Sequence, residues 1–90
     1  MNLMDKIWAA LGFRSAPTPQ ELIDLAAIRR HYDDALATKS TFHVRERILK
    51  EYEEMIKNLY AHGKDIGQER VWHHRRMSEF LVEKKSSRGY

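Results

Sequence analysis

Three histidines of this 90-residue chain lie about one helical turn from a carboxylate, a spacing that can place two metal ligands on one helix face. The pairs are His31 with Asp34, His43 with Glu46, and Glu69 with His73. A di-metal centre in a helical bundle needs a Glu-x-x-His order on two helices. His31 and His43 instead precede their acids, and His43 is far along the chain from His73. We therefore expect no metal site.

The chain also lacks the local patterns that activate a nucleophile or cradle a phosphate. It has no cysteine, and its serines fall in predicted helix caps, helix faces or the C-terminal tail. No Gly-x-Ser-x-Gly elbow occurs, and the four glycines never cluster. Neighbouring carboxylates such as Asp33 and Asp34 diverge on a helix and have cations one turn away. We expect a protein that is not an enzyme and that has no cofactor and no small-molecule substrate.

Residues that could bind nucleic acid are concentrated in the last third of the chain. Residues 1–63 contain nine Lys/Arg and nine Asp/Glu, whereas residues 64–90 contain seven and four. Cations bind phosphates, and an aromatic ring or a guanidinium can stack on bases. The candidate nucleic-acid contacts are Arg70, His74, Arg75, Arg76, Lys84 and Lys85. Three glutamates fall on the same helical side as Trp72 and Arg76, however, and they dilute this positive stripe.

Trp72 is predicted to point away from the apolar stripe of its own helix, toward Arg76, Glu79 and Glu83. In that position it could stack under Arg76 through a cation–π contact. It could equally be an anchor in a protein interface, where Trp and Arg are enriched. We therefore place Trp72, Arg75 and Arg76 in a candidate partner-binding face.

Val71 and Val82 lie on yet another side of the same predicted helix. A helix with apolar residues on several sides is usually covered by more than one neighbour. A chain of this size has a thin core, because it buries only about 60–65% of its unfolded surface. We therefore expect the additional neighbour to be a partner protein or a second copy, in a dimer or larger closed oligomer.

A second candidate partner-binding surface is an amphipathic helix at residues 1–13. Its apolar side carries Leu3, Ile7, Trp8, Leu11 and Phe13. This helix could fold back on the domain, dock on another protein or copy, or lie in a membrane interface. Its polar side has one Lys and one Asp, fewer cations than interfacial helices usually carry, which disfavours the membrane. Residues 14–18 are predicted to be a linker that gives the helix freedom.

Three long helices must position these residues, and they form the predicted helical domain at residues 19–85. They run from Pro19 to about Thr38, from Phe42 to Ala61 and from about Asp65 to Lys85, and residues 86–90 form a polar tail. The first and third begin with capping boxes, at Thr18 with Glu21 and at Asp65 with Gln68. Ser40 or Thr41 caps the second helix, and Gly63 ends it. No Gly or Pro enforces the break at residues 38–41, so one bent rod is the alternative to two antiparallel helices.

Each predicted helix has an apolar stripe with helical spacing. The stripes contain Leu22, Leu25, Ile28, Tyr32, Ala35 and Leu36 in the first helix; Val44, Ile48, Tyr52, Met55, Ile56 and Leu59 in the second, widened by Leu49 and Tyr60; and Ile66, His73, Met77, Phe80 and Leu81 in the third. The alternation of apolar and polar residues that strands require does not persist anywhere in the sequence. The predicted fold class is all-α, an antiparallel helical bundle or hairpin of about three long helices preceded by the short N-terminal helix.

These observations favour a small helical interaction or regulatory protein that acts by protein–protein binding and self-associates. The alternatives are a nucleic-acid-binding regulator that uses the basic C-terminal helix, and a membrane-surface adaptor anchored by the N-terminal helix. No apolar run approaches the ~18 residues that cross a bilayer. Asp5 lies beside Lys6 and no alanine-type cleavage site precedes Arg14, so we expect no signal peptide. With no cysteine, the expected location is cytoplasmic.

Overall fold

The computed structural model describes residues 15–88, which form three helices. Helix α1 spans Pro19–Ala37, α2 spans Phe42–Ala61 and α3 spans Gly67–Arg88. Within this range the only extended pairing is an isolated bridge between Ser15 and Lys64. The predicted all-helical class is therefore confirmed for the described part of the chain. The predicted amphipathic helix at residues 1–13 lies outside the described residues.

The start of α1 is the capping box that the sequence predicts. Thr18 Oγ1 accepts a hydrogen bond from the Glu21 backbone N–H at 3.2 Å, and Glu21 Oε1 accepts one from the Thr18 N–H at 2.7 Å. The second bond lowers the pKa of Glu21, because the backbone N–H stabilises the ionised carboxylate. The two reciprocal bonds satisfy N–H groups that have no partner within the helix.

A turn at residues 38–41 separates α1 from α2 without any Gly or Pro. Lys39 adopts a left-handed φ of 55°, and the Ser40 N–H donates to the Ala35 carbonyl at 2.9 Å. The Thr41 side chain then caps α2 by accepting from the Val44 N–H. The prediction of two separate helices is confirmed, and the single bent rod is excluded.

The junction between α2 and α3 differs in part from the prediction. Gly63 ends α2 at a φ of 78°, and the Lys64 N–H donates to the Leu59 carbonyl at 3.0 Å, which is a Schellman-type cap. The Asp65–Gln68 capping box is wrong: Asp65 Oδ1 accepts from the Gly67 N–H at 3.1 Å, and α3 begins at Gly67. The Asp65 N–H, which a capping box would pair with the Gln68 side chain, donates instead to the Ser15 carbonyl at 2.7 Å, beside the bridge between Ser15 and Lys64.

Those bonds also change the interpretation of the predicted linker. Ser15 donates its N–H to the Gly63 carbonyl at 3.0 Å and accepts from Asp65, and Glu21 and Lys64 form an ion pair at 3.9 Å. The described part of the linker is therefore fixed to the α2–α3 turn. At the other end, α3 continues through Ser86 and Ser87 to Arg88, where the sequence predicts a polar tail.

Helix α2 is the central element, and α1 and α3 pack against it in antiparallel directions. No Cα atom of α1 lies within 8 Å of a Cα atom of α3. One cluster of the core contains Leu25, Tyr52, Ile56, Leu59 and Ile66, and the other contains Tyr32, Ala35, Ile48, Leu49 and Phe80. Most of the predicted stripe residues are thus buried. Leu22, Leu36 and Leu81 are exposed instead, since α1 and α3 each have backbone contact with only one helix, and Tyr60 near the end of α2 is exposed as well.

Candidate interaction surface on the third helix

Trp72 packs inside the domain rather than pointing away from it. Its indole contacts both core clusters, with ring centroids 4.7 Å from Tyr52 and 6.0 Å from Tyr32. The predicted orientation is therefore wrong, because α1 lies on the side of α3 that the stripe alone leaves empty. A large indole is needed to fill the space between two helices whose backbones stay apart. The predicted cation–π geometry does exist, with Arg76 Cζ 5.8 Å from the Trp72 ring.

Two of the predicted nucleic-acid contacts are paired with acids of the domain. Arg76 lies 3.7 Å from Asp33 of α1 and 3.2 Å from Glu79 of α3. Lys84 lies 3.5 Å from Glu46 of α2, with its Nζ 5.8 Å from the ring centroid of Phe80. These cations join α3 to its neighbours, and much of their charge is already neutralised within the domain.

Arg45 is a buried cation that the sequence interpretation missed. It is 4% exposed, lies 4.7 Å from the Phe42 ring centroid, and donates to both carboxylate oxygens of Glu83 at 2.9 and 3.2 Å. These bonds lower the pKa of Glu83, since the guanidinium stabilises its ionised form. The available signal was spacing, because Arg45 lies three, four and seven residues before the buried residues Ile48, Leu49 and Tyr52.

The side of α3 that points away from α1 and α2 carries exposed aliphatic residues. Val71 is 59% exposed, Leu81 is 55% exposed and Val82 is 67% exposed. Exposed cations alternate with them along the helix. We call this surface the outward face of α3, and it consists of Val71, His74, Arg75, Ser78, Leu81, Val82 and Lys85. At about 100° per residue, these seven positions share one arc of the helix, with three- and four-residue spacing.

The charged side chains of the outward face, Arg75 and Lys85, are both positive. Within residues 15–88, the ion pairs leave His74, Arg75 and Lys85 without an acidic partner. Of the glutamates of α3, Glu69 and Glu83 lie away from this arc, and Glu83 pairs with Arg45 of α2. Glu79 borders the arc one turn from Arg75, but it is paired with Arg76. Arg70 borders the face, with its Cζ 5.5 Å from the Tyr60 ring centroid. Of the six predicted nucleic-acid contacts, four therefore lie on or beside one exposed arc of α3, namely Arg70, His74, Arg75 and Lys85. The other two, Arg76 and Lys84, are paired with acids inside the domain.

Other kinds of site have less support in the described part of the chain. No group of three His, Asp or Glu side chains among residues 15–88 is arranged to hold a metal ion. Among the described helices, none has both the length and the apolar character required to span a bilayer. The predicted contacts Leu3, Ile7, Trp8, Leu11 and Phe13 lie outside the described residues.

Comparison with protein-family models, with curated proteins and with solved structures found no match. The function of this chain must therefore be inferred from the chemistry of its own surface. The outward face of α3 combines exposed aliphatic carbon with unpaired positive charge over four helical turns.

Proposed function

We propose that this protein is a small non-catalytic helical module that binds another protein through the outward face of α3. The observation that carries the proposal is the row formed by Val71, Leu81 and Val82, all more than half exposed, beside cations without acidic partners. Single exposed aliphatic residues are ordinary on protein surfaces. Several exposed aliphatic residues on one side of a helix, with polar residues between and beside them, are typical of an interaction site.

Trp72 has a different role in this proposal from the one that the sequence suggested. Its contacts with Tyr32 and Tyr52 support a structural role, in which the indole holds α3 against α1 and α2. Arg76 is tied to Asp33 in the same region. Of the predicted partner-binding residues in α3, Arg75 is the one whose side chain belongs to the outward face.

Nucleic-acid binding is the second candidate function, and one observation favours it. Arg70, His74, Arg75 and Lys85 are exposed on or beside an arc of α3 that contains no acid. Phosphates bind to such an arc electrostatically. Base stacking has little support, however, because Trp72 contacts the core. The exposed aliphatic residues also have no role against a phosphate backbone, so we rank protein binding first.

Photo-cross-linking in the host cell tests the proposed function. A benzoylphenylalanine replaces Val71 or Val82, and a matched control replaces Ile23, which is 61% exposed on α1. The proposal predicts protease-sensitive adducts at the two α3 positions and none of the same size at the α1 position. Nuclease-sensitive adducts would support the second candidate instead. The same adducts from all three positions, or none from α3, would contradict the proposal.

A further inference from the structure

We infer that the partner is an acidic amphipathic helix, which lies along the outward face of α3. This inference rests on the proposed function and specifies the chemistry of the protein that binds. Its basis is charge complementarity, since the face presents aliphatic carbon and positive charge but no carboxylate.

The geometry of the face suits a helix. From Val71 to Lys85 it extends about 21 Å at 1.5 Å per residue, which is about four turns. Its residues recur at three and four positions, which is the spacing with which helices interdigitate. Ser78 is small and lies midway, so a second backbone can approach closely there. Val71 on one side of Ser78, and Leu81 with Val82 on the other, supply the apolar contacts.

The cations of the face have no carboxylate partner within the described domain. Glu79 borders the face but is paired with Arg76, and Glu83 points away from the face and is paired with Arg45 of α2. Arg75 and Lys85 lie ten residues apart, Arg75 between Val71 and Leu81 and Lys85 after Val82. A partner helix with glutamates beside its own aliphatic stripe would pair with these cations while its apolar side chains cover Val71 and Val82. Such pairs also favour one orientation of the partner.

Three other occupants fit the face less well. A second copy related by a two-fold axis would bring Arg75 and Lys85 of both chains to one interface, where the bordering acid Glu79 is already paired with Arg76. A bilayer would have to accept Lys85 among the aliphatic residues, near the centre of the inserted arc rather than at its edge. A nucleic acid would leave the exposed aliphatic residues without apolar contacts.

Three synthetic peptides of about 18 residues, long enough to cover the face, provide the test with the full-length protein. One has a leucine stripe flanked by glutamates, the second has lysines in place of the glutamates, and the third scrambles the first. Fluorescence anisotropy measures the affinity of each at low and at physiological salt. We expect binding of the Leu/Glu peptide alone, and weaker binding as salt screens the charges.

Two pairs of variants locate the binding site. The double change Arg75→Glu and Lys85→Glu should weaken binding of the Leu/Glu peptide about tenfold or more, because attraction becomes repulsion. Arg30→Glu with Arg47→Glu is the matched control, since both residues are exposed on other helices and the net charge changes equally. That control should stay within about twofold of wild type. Val71→Ser with Val82→Ser should also weaken binding, whereas Ile23→Ser, on the exposed side of α1, should not.

Different negative results of these experiments distinguish a failure of this inference from a failure of the proposed function. Equal binding of the Leu/Glu and Leu/Lys peptides would overturn the acidic partner but leave protein binding in place. If no peptide binds but cross-linking at Val71 still yields protein adducts, the acidic partner is likewise overturned and protein binding stays in place. Phosphatidylserine vesicles and a DNA duplex are tested under the same conditions. One result would overturn both the inference and the proposed function. In it, the vesicles or the DNA bind tightly, this binding is lost with Arg75→Glu and Lys85→Glu, and no peptide binds.

Discussion

Replacing Trp72 with alanine should destabilise the domain strongly. The indole contacts Tyr52 and Tyr32 at centroid distances of 4.7 and 6.0 Å, and it packs against both core clusters. Truncating a buried aromatic residue costs about 3–5 kcal/mol, and the partial exposure of Trp72 places the expected loss at about 3 kcal/mol. Small domains are stable by only about 5–15 kcal/mol, so this is a large share of the total. Trp72→Phe should lose less, because a smaller ring still fills part of the space.

Urea denaturation followed by far-UV circular dichroism measures this loss without depending on tryptophan fluorescence. Val71→Ala is the matched control, because Val71 is the preceding residue but is 59% exposed. Its free energy of unfolding should change by less than about 0.5 kcal/mol. The reasoning fails if Trp72→Ala unfolds at the wild-type urea concentration while binding of the Leu/Glu peptide is lost. That result would make Trp72 an interface anchor, as its predicted orientation suggested.

Three further predictions concern folding. Because Arg45 lowers the pKa of Glu83 below its usual 4.5, ionised Glu83 stabilises the fold above that pH and the contribution is lost as the pH falls. Between about pH 6 and pH 3, the urea midpoint of Glu83→Gln should therefore fall less than that of wild type or of the exposed control Glu51→Gln. Equal falls of the midpoint in all three proteins would contradict this. Gly63→Ala should cost about 1 kcal/mol in urea unfolding, since its φ is 78° and nothing lies within 4 Å to add a clash. Lys39→Gly should raise the urea midpoint slightly, because its φ of 55° strains a residue with a side chain; a lower midpoint would contradict this.

The sequence predicts the elements well where local chemistry determines them. Thr18 and Glu21 form the expected capping box, and Gly63 adopts the expected left-handed conformation. The apolar stripe of α2 is buried almost as predicted, since this helix has neighbours on both sides. The start of α3 is wrong because a bond from Asp65 to Ser15, far away in the chain, competes with the local cap. Such a contact has no signature in the residues around Asp65.

The candidate site was harder to predict, because its character depends on which side of α3 the other helices occupy. Periodicity identifies an apolar stripe, but it does not show that α1 covers Trp72 as well. It also does not show that Arg45 and Arg76 are bound to Glu83 and Asp33 across helices. The helical positions of Val71 and Val82 do place them on a separate side of α3. Only the packing of the three helices shows that this side is exposed and free of acids.

The most direct test of the central claim is a charge exchange between the protein and its peptide. The Arg75→Glu/Lys85→Glu variant is titrated with the Leu/Lys peptide, and wild type is titrated in parallel. If an acidic helix docks on the outward face of α3, the variant should bind the Leu/Lys peptide about tenfold or more tightly than wild type does. The Arg30→Glu/Arg47→Glu variant should show no such gain. Equal affinities of the outward-face variant and wild type for the Leu/Lys peptide would contradict the claim.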